Sequence, residues 1–346
     1  MFGTIIYGSQ EQIMSKNRKK LERTGNILVT GSAGFIGYYL SKALLDYGCS
    51  VTGLDNMNDY YDVSLKETRL QLLRQSGRFR FVQADLADRQ ALEQIFIEDR
   101  PRIVVNLAAQ AGVRYSIDHP EHYMQSNIIG FFNLLECCRQ YPVSHLVYAS
   151  SSSVYGANKK VPFSTEDRTD HPVSLYAATK KSNELMAYCY SRLYQIPATG
   201  LRFFTVYGPM GRPDMAYFKF AEKMMRNEPI QVYNRGDMMR DFTYVDDIVN
   251  GIAAILENAP EETDGVRHKV YNIGNNQPVK LMDFIELLEQ CLGKTAQKEF
   301  LPMQPGDVYQ TFADISDLEK DFGFRPDTPI AAGIQRFADW FLSYYY

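Results

Sequence analysis

The 346-residue sequence is poor in the features that mark several large classes of protein. Its five cysteines include no CxxC pair and are odd in number, which argues against a disulfide framework and favours reduced thiols in a cytoplasmic protein. No apolar stretch approaches the roughly 18 residues of a membrane span. A net charge of -4 without a clustered basic face argues against nucleic acid as a ligand. The five histidines show no metal-ligand spacing, so we predict no metal site.

Alternation of apolar runs with helical patterns fills the first half of the chain. The strand-like runs are NILVT, SVTGL, RFRFVQADL, RIVVNLAA and SHLVYASS, with helices predicted around residues 64–76, 88–98, 120–141 and 175–194. This pattern predicts an α/β fold with a Rossmann-type doubly wound parallel sheet. The later segments are rich in turns and predict a smaller α/β substrate-binding domain over the carboxyl edge of that sheet.

The first strand runs into a glycine-rich turn that suits a dinucleotide. Gly31, Gly34 and Gly37 would form a tight turn, admit a pyrophosphate and let the next helix pack closely. The free N–H groups at that helix start favour phosphate. Asp55 ends the second strand, where a carboxylate accepts hydrogen bonds from ribose hydroxyls and repels a 2′-phosphate. We therefore predict that NAD is preferred over NADP.

A tyrosine and a lysine stand one helical turn apart in the run LYAATK. Tyr176 is a weak base at neutral pH because a phenol has a reference pKa of about 10. Lys180 lies on the same helix face and favours the phenolate. A serine from the upstream run YASSSSVYG can hydrogen-bond the same substrate oxygen. Together these residues predict the removal of a proton from an alcohol.

The GxxGxxG spacing and the Tyr-x-x-x-Lys pair resemble the short-chain dehydrogenase/reductase superfamily, in its extended, nucleotide-sugar-modifying branch. The resemblance implies Ser151, Tyr176 and Lys180 as the catalytic set and a tightly bound NAD. We expect further residues at the cofactor, some because they lie near the glycines or at strand ends and others because the resemblance implies them. They are Phe35, Ile36, Asn56, Asp85, Leu86, Ala108, Ala109, Gln110, Asn127 and Phe203.

Four further segments resemble the UDP-glucuronate 4-epimerases: DNMNDYYDVSLKETRL, AAQAGVRYSIDHPEHYMQSNIIG, RFFTVYGPMGRPDMAYFKF and MQPGDV. The likeness covers nearly the whole chain beyond its N-terminal part. It implies conversion of UDP-glucuronate to UDP-galacturonate, in polysaccharide biosynthesis, through a 4-keto sugar. Tyr176 would remove the O4 proton, and the hydride would return to the opposite face of C4.

The serines after Ser151 distinguish this chain from related enzymes. Sugar 4,6-dehydratases carry Asp and Glu at the next two positions, and UDP-glucuronate decarboxylases carry Glu before Val154. Ser152 and Ser153 stand in these places here. A hydroxyl binds a carboxylate but does not shuttle a C5 proton at neutral pH. We therefore expect simple oxidation and reduction at C4, with Thr205 helping these serines to hold the uronate carboxylate.

The resemblance also implies contacts to the rest of the nucleotide sugar. Arg212 and Arg240 would bind the diphosphate, and Tyr233 would stack on uracil. Galactose-type epimerases have Arg where this chain has Gln304, which puts one diphosphate contact in doubt. Arg114 would serve either the diphosphate or the carboxylate. The residues expected near the uridine ribose are Gln304 and Asp307.

The predicted organisation has three parts. Residues 1–24 form a flexible N-terminal tail, residues 25–203 and 246–273 the NAD-binding domain, and residues 204–245 and 274–346 the substrate domain. The helices near 120–141 and 175–194 carry surplus apolar residues, which in this superfamily pair into a four-helix bundle, so we expect a homodimer.

Three alternatives stay open at this point. The first is a 4-epimerase of another UDP-hexose, UDP-N-acetylglucosamine or UDP-glucose. The second is a non-catalytic NAD-binding protein of the same fold. The third is a simple dehydrogenase that releases NADH.

Overall fold

The computed structural model describes Leu21 and residues 25–303 and 309–346. The predicted tail, residues 1–24, lies outside this part of the chain except for Leu21. That side chain is buried, and its carbonyl oxygen accepts a hydrogen bond from the Cys49 thiol at 3.5 Å. The proposed domain boundaries themselves stay a prediction.

The central layer of the described chain is a seven-stranded parallel sheet in the order β10-β6-β5-β4-β1-β2-β3. Its strands are β1 (Asn26–Thr30), β2 (Ser50–Asp55), β3 (Phe79–Gln83), β4 (Ile103–Asn106), β5 (His145–Ser151), β6 (Ala198–Phe203) and β10 (His268–Ile273). Helices cover both faces, so the strands are apolar without alternation. Ile27 and Val29 pack into one core and Leu28 into the other. The predicted fold class is confirmed.

Helices follow the strands in the expected alternation. They span Phe35–Asp46, Val63–Leu73, Arg89–Asp99, Tyr115–Asp118, Pro120–Tyr123, Gly130–Gln140, Leu175–Tyr194, Ala216–Met225, Val245–Leu256, Leu281–Leu292, Ser316–Phe322 and Ile330–Tyr345. The helix predicted over 120–141 is interrupted by a π-helical turn, Met124–Ile129. Such turns recur at functional sites, and this one places Ser126 on the cavity described below.

The remaining strands build two small sheets beyond the carboxyl edge of the main sheet. One has the order β11-β9-β7, from β7 (Thr205–Tyr207), β9 (Met239–Tyr244) and β11 (Pro278–Lys280). The other pairs β8 (Ile230–Val232) with β12 (Lys298–Phe300). Because β7 follows β6 after one residue, this smaller region faces the ends of the main strands. A cleft lies between them.

Candidate active site

A cavity of about 720 Å³ follows the carboxyl ends of β1 to β6 and extends under the small sheets. In doubly wound sheets this edge is where ligands bind. The size falls within the usual range of small-molecule sites, about 300–1,000 Å³. The cavity brings together nearly all of the residues predicted from the sequence, and it adds several that the sequence did not single out.

The glycine turn after β1 forms one wall. Gly31 has φ +71°, and a Cβ there would lie 2.8 Å from the Ala108 backbone nitrogen. A Cβ on Gly37 would lie 2.0 Å from the Gly31 carbonyl oxygen. A side chain at either glycine would therefore collide with the backbone of the turn, and we call this pair of positions the cradle. Phe35 begins the next helix directly after the turn, and Gly34, Ile36 and Ala109 line the same wall.

Asp55 lies at the end of β2, and its buried carboxylate has hydrogen-bond partners for both oxygens. It accepts hydrogen bonds from the backbone N–H groups of Ala33 at 3.2 Å and Met57 at 2.9 Å. The ammonium of Lys66 lies 3.8 Å away and donates to the Asn58 carbonyl oxygen and side chain. Burial lowers the pKa of Lys66, and the Asp55 charge opposes that shift. The sequence reasoning missed Lys66.

The expected adenine end of the cavity is built around Asp85. Asn56 donates to one Asp85 carboxylate oxygen at 2.8 Å, and the Ala87 N–H donates to the other at 2.8 Å. Leu86, Ala108, Gln110 and Phe203 also line the cavity. Asn127 lies behind this wall: its side chain accepts from the Gln110 N–H at 2.9 Å and donates to the Gln110 carbonyl at 3.0 Å.

The three predicted catalytic residues meet at the centre of the cavity. Ser151 ends β5, and Tyr176 and Lys180 lie on the helix Leu175–Tyr194. The Ser151 hydroxyl lies close enough to the Tyr176 side chain to act on its pKa through a hydrogen bond, and its oxygen accepts from the Ser153 backbone N–H at 3.1 Å. Lys180 is 3% exposed, and its ammonium donates to the Ala149 carbonyl oxygen at 2.8 Å.

Burial dominates the electrostatics of this group. It raises the pKa of Tyr176, while the Ser151 hydrogen bond and the Arg212 charge lower it. Burial also lowers the pKa of Lys180 to about 8. Arg212 thus adds a positive charge that acts on Tyr176 and that the sequence did not indicate, and the effect expected of Lys180 stays a prediction.

Arg212 lies beside Tyr176 in a network that the sequence analysis did not foresee. Its guanidinium donates to both carboxylate oxygens of Asp214, at 3.0 and 2.5 Å. Tyr60 donates to Asp214 Oδ2 at 3.2 Å. Although burial opposes ionisation, Arg212 and the Tyr60 hydrogen bond lower the pKa of Asp214, so this carboxylate stays charged.

Ser152, Ser153 and Thr205 line the cavity next to the catalytic group. The carboxylates along the described part of its lining are Asp55, Asp85 and Asp214. Cationic side chains outnumber them there: Lys66, Arg114, Lys180, Arg212, Lys219, Lys223 and Arg240. The cavity therefore suits a ligand with several negative charges.

The residues predicted for the nucleotide lie at the far end of the cavity. Tyr233 and Arg114 face each other, with the guanidinium carbon 5.0 Å from the ring centroid. Arg240 donates to the carbonyl oxygens of Met239 at 2.9 Å and Tyr309 at 3.1 Å. Gln304 and Asp307 lie outside the described residues.

Lys219 and Lys223 were also missed from the sequence. They lie four residues apart on the helix Ala216–Met225, which places both on one face toward the cavity. Lys219 lies in the segment RPDMAYFKF and Lys223 follows three residues after its end, so their four-residue spacing was a signal that could have identified them.

One cluster outside the cavity bears on the metal prediction. The side chains of His119, Glu121 and His122 bring three potential ligand atoms within 4.8 Å of one another, across the junction of two short helices. The absence of a metal, which was inferred from linear spacing, stays a prediction. Within the described ranges, no helix combines the length and hydropathy that a bilayer crossing requires.

Comparison with known proteins agrees with this geometry. Residues 27–274 match the model of the NAD dependent epimerase/dehydratase family. Protein CapI of Staphylococcus aureus is 54% identical over 331 residues, covering 92% of this chain and 99% of that protein. A probable UDP-glucuronate 4-epimerase of Rhizobium meliloti is 47% identical, covering 91% and 96%.

A solved structure shares the whole architecture. The UDP-glucuronic acid 4-epimerase of Bacillus cereus, in complex with UDP-glucuronic acid and NAD, is 35% identical, with a TM-score of 0.85 over 92% of this chain and 100% of that one. These matches confirm the predictions of an epimerase and of NAD as its cofactor. The chain belongs to the NAD dependent epimerase/dehydratase family.

Proposed function

We propose that this protein interconverts UDP-glucuronate and UDP-galacturonate by inverting C4 through a 4-keto sugar, with polysaccharide biosynthesis as the use of its product. The observation that carries the proposal is the position of Ser152 and Ser153 beside Ser151, Tyr176 and Lys180 in one cavity. The catalytic set for oxidation at C4 is complete, and hydroxyls occupy the two places where relatives that eliminate or decarboxylate carry acids.

The residues around the glycine turn fit NAD. The cradle at Gly31 and Gly37 has no room for a Cβ, and the helix that begins at Phe35 directs free N–H groups toward it. Asp55 stands at the β2 end, where it would meet ribose hydroxyls. NAD, when bound, supplies a hydride acceptor whose reduced form can return the hydride.

The chain's own residues handle the proton. Tyr176 accepts the proton of the sugar O4 as a phenolate and gives it back when C4 is reduced. Ser151 hydrogen-bonds the same oxygen. Arg212 favours the phenolate by its charge. Lys180, held by the Ala149 carbonyl, lies one turn from Tyr176 on the cavity wall, where it would contact the nicotinamide ribose.

Elimination of water from the keto sugar needs a further base near C5, and protonation of C5 after loss of carbon dioxide needs an acid there. Asp214 is the cavity carboxylate to consider for this role. Arg212 donates to both of its oxygens and lowers its pKa. An ionised, doubly paired carboxylate is a poor proton donor. The serines can hold a uronate carboxylate through hydrogen bonds, and the cationic lining favours a substrate with three acidic groups.

A homodimer fits the exposed surface. Apolar side chains that are 38–66% exposed lie on segment 117–132 and on the helix Leu175–Tyr194. They are Ile117, Met124, Ile129, Phe132, Leu185, Tyr188, Leu193 and Tyr194. We propose that two copies pair through these faces as a four-helix bundle. The free cysteines suit a cytoplasmic location.

The test is incubation of purified protein with UDP-glucuronate, with separation of UDP-uronates from UDP-pentoses. We expect UDP-galacturonate without net NADH, and no turnover by Tyr176→Phe. Turnover only of UDP-N-acetylglucosamine or UDP-glucose would show that this other UDP-hexose is the substrate. Accumulating NADH would indicate a dehydrogenase. NAD binding with no turnover of any UDP-hexose would leave a non-catalytic protein.

A further inference from the structure

One buried arginine joins the dinucleotide turn to the loop that carries Arg212. Arg69, on the helix Val63–Leu73, is fully buried. Its Nη1 donates to the Ala33 carbonyl oxygen at 2.8 Å, inside the glycine turn. Its Nη2 donates to the carbonyl oxygens of Met210 at 2.6 Å and Gly211 at 3.3 Å, directly before Arg212.

The nearby Tyr60 makes a second connection to the same loop. Its hydroxyl donates to Asp214 Oδ2 at 3.2 Å, and Asp214 in turn holds Arg212. Its ring packs on Tyr115 with centroids 4.7 Å apart. Segment 60–69 therefore contacts the chain on both sides of Arg212. Arg69 binds the backbone carbonyls before it, and Tyr60 binds the Asp214 carboxylate after it.

The arrangement is costly, which argues against a merely space-filling role. The described hydrogen bonds of Arg69 go to uncharged oxygens, including the Tyr61 hydroxyl at 2.9 Å, and burying a charge without a counter-charge is unfavourable. Met210 has φ +51°, a left-handed conformation that a side chain disfavours. That backbone turns the Met210 carbonyl toward Arg69. The planar guanidinium fork of arginine has donors that reach both loops at once, whereas the single ammonium of lysine does not.

We propose that Arg69 and Tyr60 are positioning residues that fasten Arg212 to the dinucleotide turn, so that occupation of the cofactor site and binding of the nucleotide diphosphate are energetically coupled. The inference rests on the proposed function and deepens it. Ordering of the glycine turn by a dinucleotide stabilises the Arg69 hydrogen bonds, and these hold Arg212 in place for the substrate. By linkage, the diphosphate favours the cofactor to the same extent.

The test uses UDP as the probe and measures its affinity by calorimetry on protein with and without NAD. We expect wild-type protein to bind UDP more tightly with NAD present. Arg69→Lys keeps the charge but loses the fork, and should weaken UDP binding to the NAD-loaded protein at least about tenfold and remove most of the difference between the two states. Tyr60→Phe should weaken it about tenfold or less, since it loses one hydrogen bond to a charged group. Arg74→Lys, at an exposed position after the same helix, is the matched control.

Kinetics separate positioning from stability. In the fraction that is folded and loaded with NAD, both Arg69→Lys and Tyr60→Phe should raise KM for UDP-glucuronate more than they lower kcat. A purely structural role would lower the melting temperature and leave UDP affinity and KM at wild-type values in both variants, which overturns the proposal. The UDP measurement needs no turnover. A protein that fails to epimerise UDP-glucuronate but shows Arg69-dependent UDP affinity would refute the proposed substrate and support the fastening.

Discussion

The ammonium of Lys180, a residue that is only 3% exposed, donates a hydrogen bond to the Ala149 carbonyl oxygen on β5, 2.8 Å away. This bond ties the catalytic helix to the strand that carries Ser151. A cation in this position is poorly solvated, and burial lowers its pKa to about 8. Lys180 is therefore both a structural tie and a titrating group near physiological pH.

We predict that this lysine makes stability depend on pH. Its pKa is about 8 in the folded protein and about 10.4 when unfolded, so between these values only the unfolded chain holds the proton. Stability should rise with pH across this window, by up to about 3 kcal/mol relative to Lys180→Met. Urea unfolding of NAD-free protein at pH 7 to 10 measures the difference. Lys159→Met, at an exposed lysine, is the control and should give a pH-independent difference.

The Ser151 hydroxyl should set the pH at which Tyr176 works. Its hydrogen bond lowers the pKa of Tyr176, which burial raises. Ser151→Ala should lower turnover at pH 7 on the order of 10²-fold and shift the alkaline rise of the rate to higher pH. Ser152→Ala, at a neighbouring cavity position, should leave that rise in place. A pH–rate profile that stays unmoved in Ser151→Ala would contradict this role.

The glycine turn offers a test of the cofactor cradle. Gly37→Ala places a methyl group 2.0 Å from the Gly31 carbonyl, so the turn must shift. We expect loss of copurifying NAD and destabilisation of about 1–3 kcal/mol. Gly77→Ala is a matched control because a Cβ there meets nothing within 4 Å. NAD content after denaturation and thermal melting report both effects. Retention of NAD in Gly37→Ala would show that the turn is not the pyrophosphate site.

The exposed apolar residues of the helix Leu175–Tyr194 predict a dimer. Leu185 is 60% exposed and Leu193 63% exposed in the single chain. Leu185→Glu should convert a dimer to monomers, because a carboxylate would be buried without a partner. Light scattering during size exclusion measures the mass. Ile97→Glu, on the helix Arg89–Asp99 and 47% exposed, should leave the mass of the wild type. A wild-type protein that is monomeric at micromolar concentration would refute the proposed pairing.

Local spacing carried most of what the sequence could predict. Tyr176 and Lys180 share a helix, and Gly31 and Gly37 share a turn, so their proximity follows from backbone geometry alone. Contacts between distant segments were not readable in this way. Tyr60 meets Asp214 across 154 positions because two loops pack together. No periodicity in either segment encodes that contact.

The structure adds contacts to two predicted site residues that the sequence did not indicate. The side-chain amide of Asn127, in the π-helical turn, bonds to the Gln110 backbone behind the cavity wall, and its place at the cofactor stays a prediction. Arg212 stays predicted for the diphosphate, and the structure adds that it pairs with Asp214, two residues later, and that its charge acts on Tyr176. Side-chain direction in irregular backbone depends on packing that the linear pattern does not contain.

The hydroxyls around the sugar site should decide the purity of the product. A 4-keto uronate is a β-keto acid, and it loses carbon dioxide fastest when the C–CO2 bond stands perpendicular to the ketone plane. We propose that Ser152, Ser153 and Thr205, all on the cavity wall, hold the carboxylate near that plane. Thr205→Ala should therefore raise the UDP-pentose by-product while epimerisation continues, as measured by separating uronate from pentose products.

The matched control is Thr311→Ala, since Thr311 lines the same cavity but its hydroxyl accepts from the Asp241 backbone N–H at 3.3 Å. Its pentose fraction should equal that of the wild type. A Thr205→Ala variant with the wild-type product ratio would remove Thr205 from the clamp. If Ser152→Ala and Ser153→Ala also left the ratio unchanged, the keto acid would have to be protected by the speed of hydride return rather than by a held carboxylate.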